Sequence, residues 1–118
     1  SAYPAKPSGY NLHAMQSLHE EVGSSVGLSD HTLGDHIAIA AVAMGATIIE
    51  KHFTLNFEDE GPDHAMSTEP LEFGEMVRKI REVESAMGDG IKRPTEAELA
   101  IMPRARRVQT AEGFKRSP

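Results

Sequence analysis

The chain has 118 residues, which suffices for one small domain and is below the usual size of an α/β barrel. Its net charge of -6 and its aromatic content of 5%, with no tryptophan, argue against a nucleic-acid partner. It has no cysteine, which excludes disulfides and thiolate metal sites and favours a reducing, cytoplasmic location, and its longest apolar stretch is too short to cross a bilayer.

The first predicted helix follows an opening segment that contains prolines and glycine. Residues 1–11 are expected to form a loop leaving a strand that lies mostly outside the sequence. Asn11 is expected to cap the helix, and Gly23 to end it. The helix would have one apolar face, formed by Leu12, Met15, Leu18 and Val22.

A strand, a helix and a second strand are predicted next. Residues 25–29 predict a short buried strand, and residues 35–44 predict a small alanine-rich helix with Asp35 as its cap. Residues 46–55 are rich in β-branched side chains and predict the second strand. Such a βαβ unit has parallel strands, because the helix carries the chain back to the starting edge of the sheet.

The rest of the chain divides into a loop, a helix and a tail. Residues 56–67 form a polar loop, and a helix capped by Thr68 or Glu69 is expected to run to Gly88. Residues 89–118 show little periodicity and are predicted to be a linker or tail. One apolar stripe is expected on the last helix, made of Phe73, Met76, Val77, Ile80, Val83 and Met87.

Two histidines stand where the two predicted strands end. Parallel strands end at one rim, about 5 Å apart, so His31 and His52 could share one metal ion there. Because side chains alternate along a strand, Ser29 lies on the same face as His31, and Glu50 on the same face as His52. Two imidazoles without thiolates suit Mn, Zn, Co or Fe(II).

Each of these groups also has a plainer interpretation. A histidine at a strand end is more often a hydrogen-bonded structural residue than a ligand, and Glu50 could be the partner of a metal-bound histidine. Asp63 could hydrogen-bond substrate hydroxyls, or could simply belong to a Gly-Pro-Asp turn. Lys51 should point to the opposite face, toward solvent or a salt bridge.

Five segments together resemble the sialic acid synthases, which condense phosphoenolpyruvate with an N-acylated amino sugar. The resemblance implies an α/β fold of parallel βαβ units that forms the C-terminal portion of a TIM (β/α)8 barrel. Residues 1–88 would be this partial barrel, and 89–118 a linker leading to an absent antifreeze-like domain. The segments, in family order, are "SAYP", "VGLSDHT", "AVAMGATIIEKHFTL", "GPDHAMSTEP" and "IREVESAMGDGIKRPTEAE".

The resemblance also implies roles for individual residues. The positions matching His31 and His52 bind a divalent metal in the family, preferentially Mn, which polarises the aldehyde of N-acetylmannosamine or a related sugar. Glu50 would orient or deprotonate the water that adds to C2 of phosphoenolpyruvate before phosphate leaves, and Asp63 would lie near that water and the sugar. The positions on the phosphoenolpyruvate side are Ser1, Tyr3 and Ser29.

The family's other requirements lie outside this sequence. Its earlier strands carry the lysines that hold the phosphate, and its antifreeze-like domain donates an arginine to the partner's site in a homodimer. Val108 stands after Arg107 where the family usually has serine, so entry into that domain also differs. The expected partners are therefore the rest of the same barrel and, in the full-length protein, a second copy, and the isolated chain is expected to be inactive.

Three functions compete. The first is the metal-bearing part of a sialic acid synthase-like enzyme, which is the favoured one. The second is a non-catalytic fragment or truncated paralogue with a residual two-histidine metal site. The third is an unrelated two-histidine module, which accounts for the rim but not for "SAYP" or "GPDHAMSTEP".

Overall fold

The computed structural model describes residues 2–105, 107–110 and 113–116. The chain divides into two compact units, Ser1–Gly88 and Asp89–Pro118. Their assignment as a partial barrel and a linker stays a prediction. Within the described residues, no helix is both long enough and apolar enough to cross a membrane.

Helix α1 runs from Ala14 to Val22 and ends where it is expected to end. Gly23 adopts a left-handed conformation with φ of 69°, and its N–H donates to the carbonyl of His19 at 2.9 Å. The predicted cap at Asn11 is wrong. Its φ is 49°, whereas a capping residue has an extended backbone, so the chain turns at Asn11 and the helix begins three residues later.

The first unit contains the predicted βαβ arrangement. Strands β1 (Leu28–Asp30) and β2 (Ile49–Lys51) are parallel, and helix α2 (His36–Ala43) connects them. Ser29 is the register partner of Glu50. The α/β class with a parallel sheet is thus confirmed, although both strands are shorter than the sequence predicts.

The sheet and the helices pack closely because the residues between them are small. Ala38 and Ala41 of α2 are fully buried. At Gly27, just before β1, an added Cβ would lie 2.5 Å from the carbonyl oxygen of Ile48, so only glycine fits between the chains there. The two core clusters consist of Met15, Ala41 and Ala46, and of Ala38, Met76 and Ile80.

Helix α3 (Pro70–Met87) packs against α2. Of its predicted apolar stripe, Met76 and Ile80 are buried, whereas Val77 and Met87 are exposed. Asp35 and Glu69 stand at the N-cap positions of α2 and α3, as predicted, but neither side chain bonds its helix: the Asp35 carboxylate accepts from Lys79 Nζ at 2.7 Å, and Glu69 accepts from the N–H of Phe57 at 3.0 Å. Both carboxylates are used in tertiary contacts instead.

The second unit has more regular structure than its lack of periodicity predicts. It contains helix α4 (Glu96–Ala105) and an antiparallel pair, β3 (Arg107–Thr110) and β4 (Gly113–Arg116). A capping box starts α4: Thr95 Oγ1 accepts from the N–H of Glu98 at 3.2 Å, and the Glu98 carboxylate accepts from the N–H of Thr95 at 2.7 Å. That Thr-x-x-Glu pattern is the local signal for this helix.

Candidate active site

Four chain segments lie side by side at the C-terminal ends of β1 and β2, which we call the rim. On one side, the N–H of Ala5 donates to the carbonyl of His31 at 2.9 Å. On the other side, the N–H of Thr68 donates to the carbonyl of His52 at 2.8 Å. The N-terminal segment and the loop after β2 therefore border the two strand ends, and side chains from all four segments can reach one point.

Ser29 connects the two strands across the rim. Its Oγ donates to Glu50 Oε2 at 2.6 Å and lies 3.0 Å from His31 Nε2. A hydroxyl has one proton and a carboxylate only accepts, so the Ser29 proton goes to Glu50 and His31 Nε2 donates to Ser29. In this arrangement the free lone pair of the His31 ring is on Nδ1.

Three rings form a cluster beside this hydrogen-bonded chain. The rings of His31 and His52 meet edge to face, with centroids 5.3 Å apart and an interplanar angle of 87°. Tyr3 stacks on His31 at 4.3 Å and 22°, and meets the edge of His52 at 5.3 Å. The two imidazoles thus lie on the same face of the sheet, in mutual contact, with Tyr3 covering one side of His31.

Asp63 approaches His52 from the loop after β2. Its Oδ2 lies 3.9 Å from His52 Nδ1. The Asp63 backbone has φ of 71°, a left-handed conformation that aspartate tolerates better than most residues. The carbonyl of Asp63 accepts from Ser67 Oγ at 2.6 Å, which holds the turn in shape.

The structure thus brings together six of the seven residues predicted for the site, and the seventh, Ser1, lies outside the described residues. Among the described residues, no cluster of three or more histidine, aspartate or glutamate side chains is arranged to hold a metal. The metal ligands that this face can supply are therefore the two imidazoles. The six are Tyr3, Ser29, His31, Glu50, His52 and Asp63.

The opposite face of the same two strands carries a charged pair, formed by Lys51 and a partner that the sequence does not predict, Asp30. Lys51 Nζ lies 2.9 Å from Asp30 Oδ2, and the exposed fractions of the two side chains are only 2% and 0%. Thr32 donates to Asp30 Oδ1 through its N–H at 2.9 Å and its hydroxyl at 2.7 Å. Of the two outcomes expected for Lys51, the salt bridge is the one observed.

The charges of this pair are well compensated. Burial alone would raise the pKa of Asp30, but the hydrogen bonds from Thr32 and the ammonium of Lys51 hold that pKa below its usual value. The opposite charges of Asp30 and Lys51, each between two rim residues, can be seen in the sequence, but their pairing depends on the strand register that the structure shows.

Tyr10 is a second residue that the sequence analysis missed. Its hydroxyl accepts from the N–H of His31 at 2.5 Å. Burial raises the pKa of Tyr10, and the nearby Asp30 carboxylate adds to that rise against the opposing effect of the His31 hydrogen bond. No local pattern predicts this contact, because the loop that carries Tyr10 reaches β1 only in the folded chain.

Comparisons with known proteins identify the class to which this parallel-stranded α/β unit belongs. The sequence model of the NeuB family matches residues 1–92. The chain therefore belongs to the NeuB family, and the resemblance to the sialic acid synthases is confirmed.

Three relatives illustrate the match. The N,N'-diacetyllegionaminic acid synthase of Campylobacter jejuni is 52% identical over 96 residues, which are 81% of this chain and 29% of that protein. The human N-acetylneuraminate-9-phosphate synthase is 41% identical over 103 residues, 85% of this chain and 28% of that protein. The crystal structure of the N-acetylneuraminic acid synthetase of Leptospira borgpetersenii, in complex with citrate, is 35% identical with a TM-score of 0.75, covering 86% of this chain and 36% of that one.

The chain is much shorter than these relatives. It spans about a third of the length of the curated proteins and the solved structure that it matches.

Proposed function

We propose that this chain carries the metal-binding residues and part of the substrate site of a sialic acid synthase-like enzyme. Such an enzyme condenses phosphoenolpyruvate with N-acetylmannosamine or a related N-acyl amino sugar and yields a nonulosonic acid and phosphate. The convergence of Ser29, His31, Glu50 and His52 at one rim carries the proposal. The names of the relatives support the reaction class, since they include synthases of legionaminic, pseudaminic and neuraminic acids.

The donor chemistry at the rim suits a divalent cation with nitrogen ligands. His31 and His52 would hold it, and Mn is the metal we propose. When bound, it would polarise the aldehyde oxygen of the sugar as a Lewis acid. His31 has its lone pair on Nδ1 while Nε2 donates to Ser29, so binding through Nε2 would require Ser29 to give up that hydrogen bond.

Glu50 is the residue we assign to proton transfer. In the reaction, C3 of phosphoenolpyruvate forms a bond with the aldehyde carbon, whose oxygen takes up a proton. Water then adds at C2, and phosphate leaves with cleavage of its C–O bond. Glu50 is exposed on the rim and accepts a hydrogen bond from the Ser29 hydroxyl at 2.6 Å. Its carboxylate can therefore orient the water and take its proton.

The remaining rim residues would bind substrate. Asp63 carries a carboxylate beside His52 that can accept hydrogen bonds from sugar hydroxyls. Tyr3 and Ser29 would line the phosphoenolpyruvate side, together with Ser1. The rest of a (β/α)8 barrel and a second copy of the protein would complete the site.

The alternative is a non-catalytic fragment or truncated paralogue that keeps only a two-histidine metal site. Because the chain spans a third of its relatives, we propose that the 118 residues alone do not turn over substrate. Incubating the purified chain with Mn, phosphoenolpyruvate and N-acetylmannosamine should release no phosphate above the protein-free control. Sustained phosphate release would contradict this.

The function itself is tested in a full-length family protein that carries this segment. His31→Ala and His52→Ala should each abolish phosphate release that depends on both substrates. His36→Ala removes an exposed histidine at the start of α2 and serves as the matched control, with activity unchanged. Activity that survives both rim substitutions would exclude the proposed site.

A further inference from the structure

The buried pair of Asp30 and Lys51 lies directly behind the rim. Asp30 is between Ser29 and His31 in the chain, and Lys51 is between Glu50 and His52. Asp30 and Lys51 are also register partners in the sheet. A fixed contact between these two side chains therefore fixes the relative height of the two strands, and with it the heights of the residues that face the other way.

The backbone hydrogen bonds alone do little to fix the relative height of the two strands. The ladder between β1 and β2 has only three residue pairs, so a small slip along the strands would break few hydrogen bonds. A one-residue slip would also turn every rim side chain to the opposite face. The 2.9 Å contact joins Asp30 and Lys51 across one register pair, and a one-residue slip would place Lys51 on the other face from Asp30.

The buried pair and the half-buried Tyr10 also hold the backbone around His31. The N–H of His31 donates to the Tyr10 hydroxyl at 2.5 Å, and the N–H of Thr32 donates to Asp30 at 2.9 Å. The carbonyl of Thr32 accepts from Lys51 Nζ at 2.7 Å. The peptide group before His31 is thus tied to the half-buried Tyr10, and the peptide groups after it are tied to the buried pair.

We propose that Asp30 and Lys51 are positioning residues, which together with Tyr10 and Thr32 set the height and orientation of the His31 ring relative to His52. The inference rests on the proposed function for its consequence, which is metal binding. Its structural content, the mutual placement of the two rings, can be measured without a metal.

The test uses the double variant Asp30→Asn/Lys51→Met of the 118-residue chain. It removes both charges together, so no unpaired charge stays buried, and the amide oxygen at position 30 can still accept from the N–H and the hydroxyl of Thr32, so this variant separates positioning from folding. The control is Asp35→Asn/Lys79→Met, which removes the partly exposed ion pair between α2 and α3. Tyr10→Phe is the milder variant, because it removes only the hydroxyl that accepts from His31.

The first readout is the nuclear Overhauser contact between the ring protons of His31 and His52 in metal-free protein, with the melting temperature recorded for every variant. We expect the contact in the original chain and in the control. In the double variant it should be lost at an unchanged melting temperature, and in Tyr10→Phe it should be weakened. A contact that persists in the folded double variant would overturn the proposal. So would failure of the double variant to fold, since the pair would then be a requirement of the fold itself.

The second readout is Mn binding, which should weaken about 10- to 100-fold in the double variant and stay unchanged in the control. An equal loss of affinity in both would overturn a positioning role. If the original chain binds no Mn while the ring contacts change as expected, the proposed function fails and the positioning role stands.

Discussion

The two faces of the paired strands β1 and β2 have similar side chains in very different settings. On the rim face, Ser29 and Glu50 are exposed and the two histidines are partly exposed. On the opposite face, Asp30 is fully buried and the Lys51 side chain is 2% exposed. A carboxylate is thus accessible on the rim face, at Glu50, and enclosed on the opposite face, at Asp30.

The difference shows how one short sheet can present accessible polar groups on one face and keep the groups that hold its strands in place on the other. Accessible polar groups, such as Ser29 between His31 and Glu50, can exchange a hydrogen-bond partner for a substrate or a metal. Enclosed groups cannot, since an unpaired buried charge is very costly. The face that a residue occupies, rather than its type, therefore decides whether it can act or only hold other residues in place.

The largest expected effect comes from breaking the enclosed pair on one side only. Lys51→Met leaves the Asp30 carboxylate buried without its counter-ion, and should lower the free energy of unfolding by about 3–5 kcal/mol. Lys79→Met breaks a partly exposed pair with Asp35 and should cost less than about 1 kcal/mol. Urea denaturation of both variants measures the contrast. Equal losses would mean that burial does not distinguish the two pairs.

The next effect concerns catalysis on the rim face. In a full-length family protein that carries this segment, Glu50→Gln keeps the shape of the side chain and removes its capacity to accept a proton. We expect kcat to fall by about 10²-fold or more while Mn affinity stays nearly unchanged. Glu21→Gln, at the exposed end of α1, is the matched control and should leave kcat unchanged.

The outcome that contradicts this role is equally specific. If Glu50 instead binds the metal or orients His52, Glu50→Gln should weaken Mn binding about 10- to 100-fold. Excess Mn would then restore full activity. Titrating Mn into both proteins while phosphate release is followed distinguishes the two roles.

The smallest expected effect is on the turn that presents Asp63 to His52. Asp63→Ala places alanine, which seldom adopts the left-handed conformation, at φ of 71°, and should destabilise the chain by about 1 kcal/mol. Asp63→Asn, which tolerates that conformation, should change stability by only a few tenths of a kcal/mol. Thermal unfolding of the two variants provides the comparison. Equal melting temperatures would show that the turn is not held as described.

Much of the first unit could be predicted from the sequence because its signals are local. Gly23 and Gly88 mark helix ends, and β-branched residues between glycines mark β2. The alternation of side chains along a strand then assigns Ser29 and His31 to the same face. These features depend on a residue and its near neighbours, which the sequence contains in full.

The parts that could not be predicted depend on contacts between distant residues. The sequence suggests that Asp35 caps α2, but Lys79, 44 positions later, takes its carboxylate. Likewise, Tyr10 meets His31 across 21 positions and only after the chain has folded. Helix α4 is different, because its capping box of Thr95 and Glu98 is a local pattern that hydrophobic periodicity does not detect.

The most direct test of the rim as a metal site follows the ring signals of all six histidines while Mn is added to the chain. A paramagnetic ion broadens the signals nearest to it first. We predict that the signals of His31 and His52 broaden together and before the others, which come from His13, His19, His36 and His64. Uniform broadening, or earlier broadening of any of those four, would contradict the account.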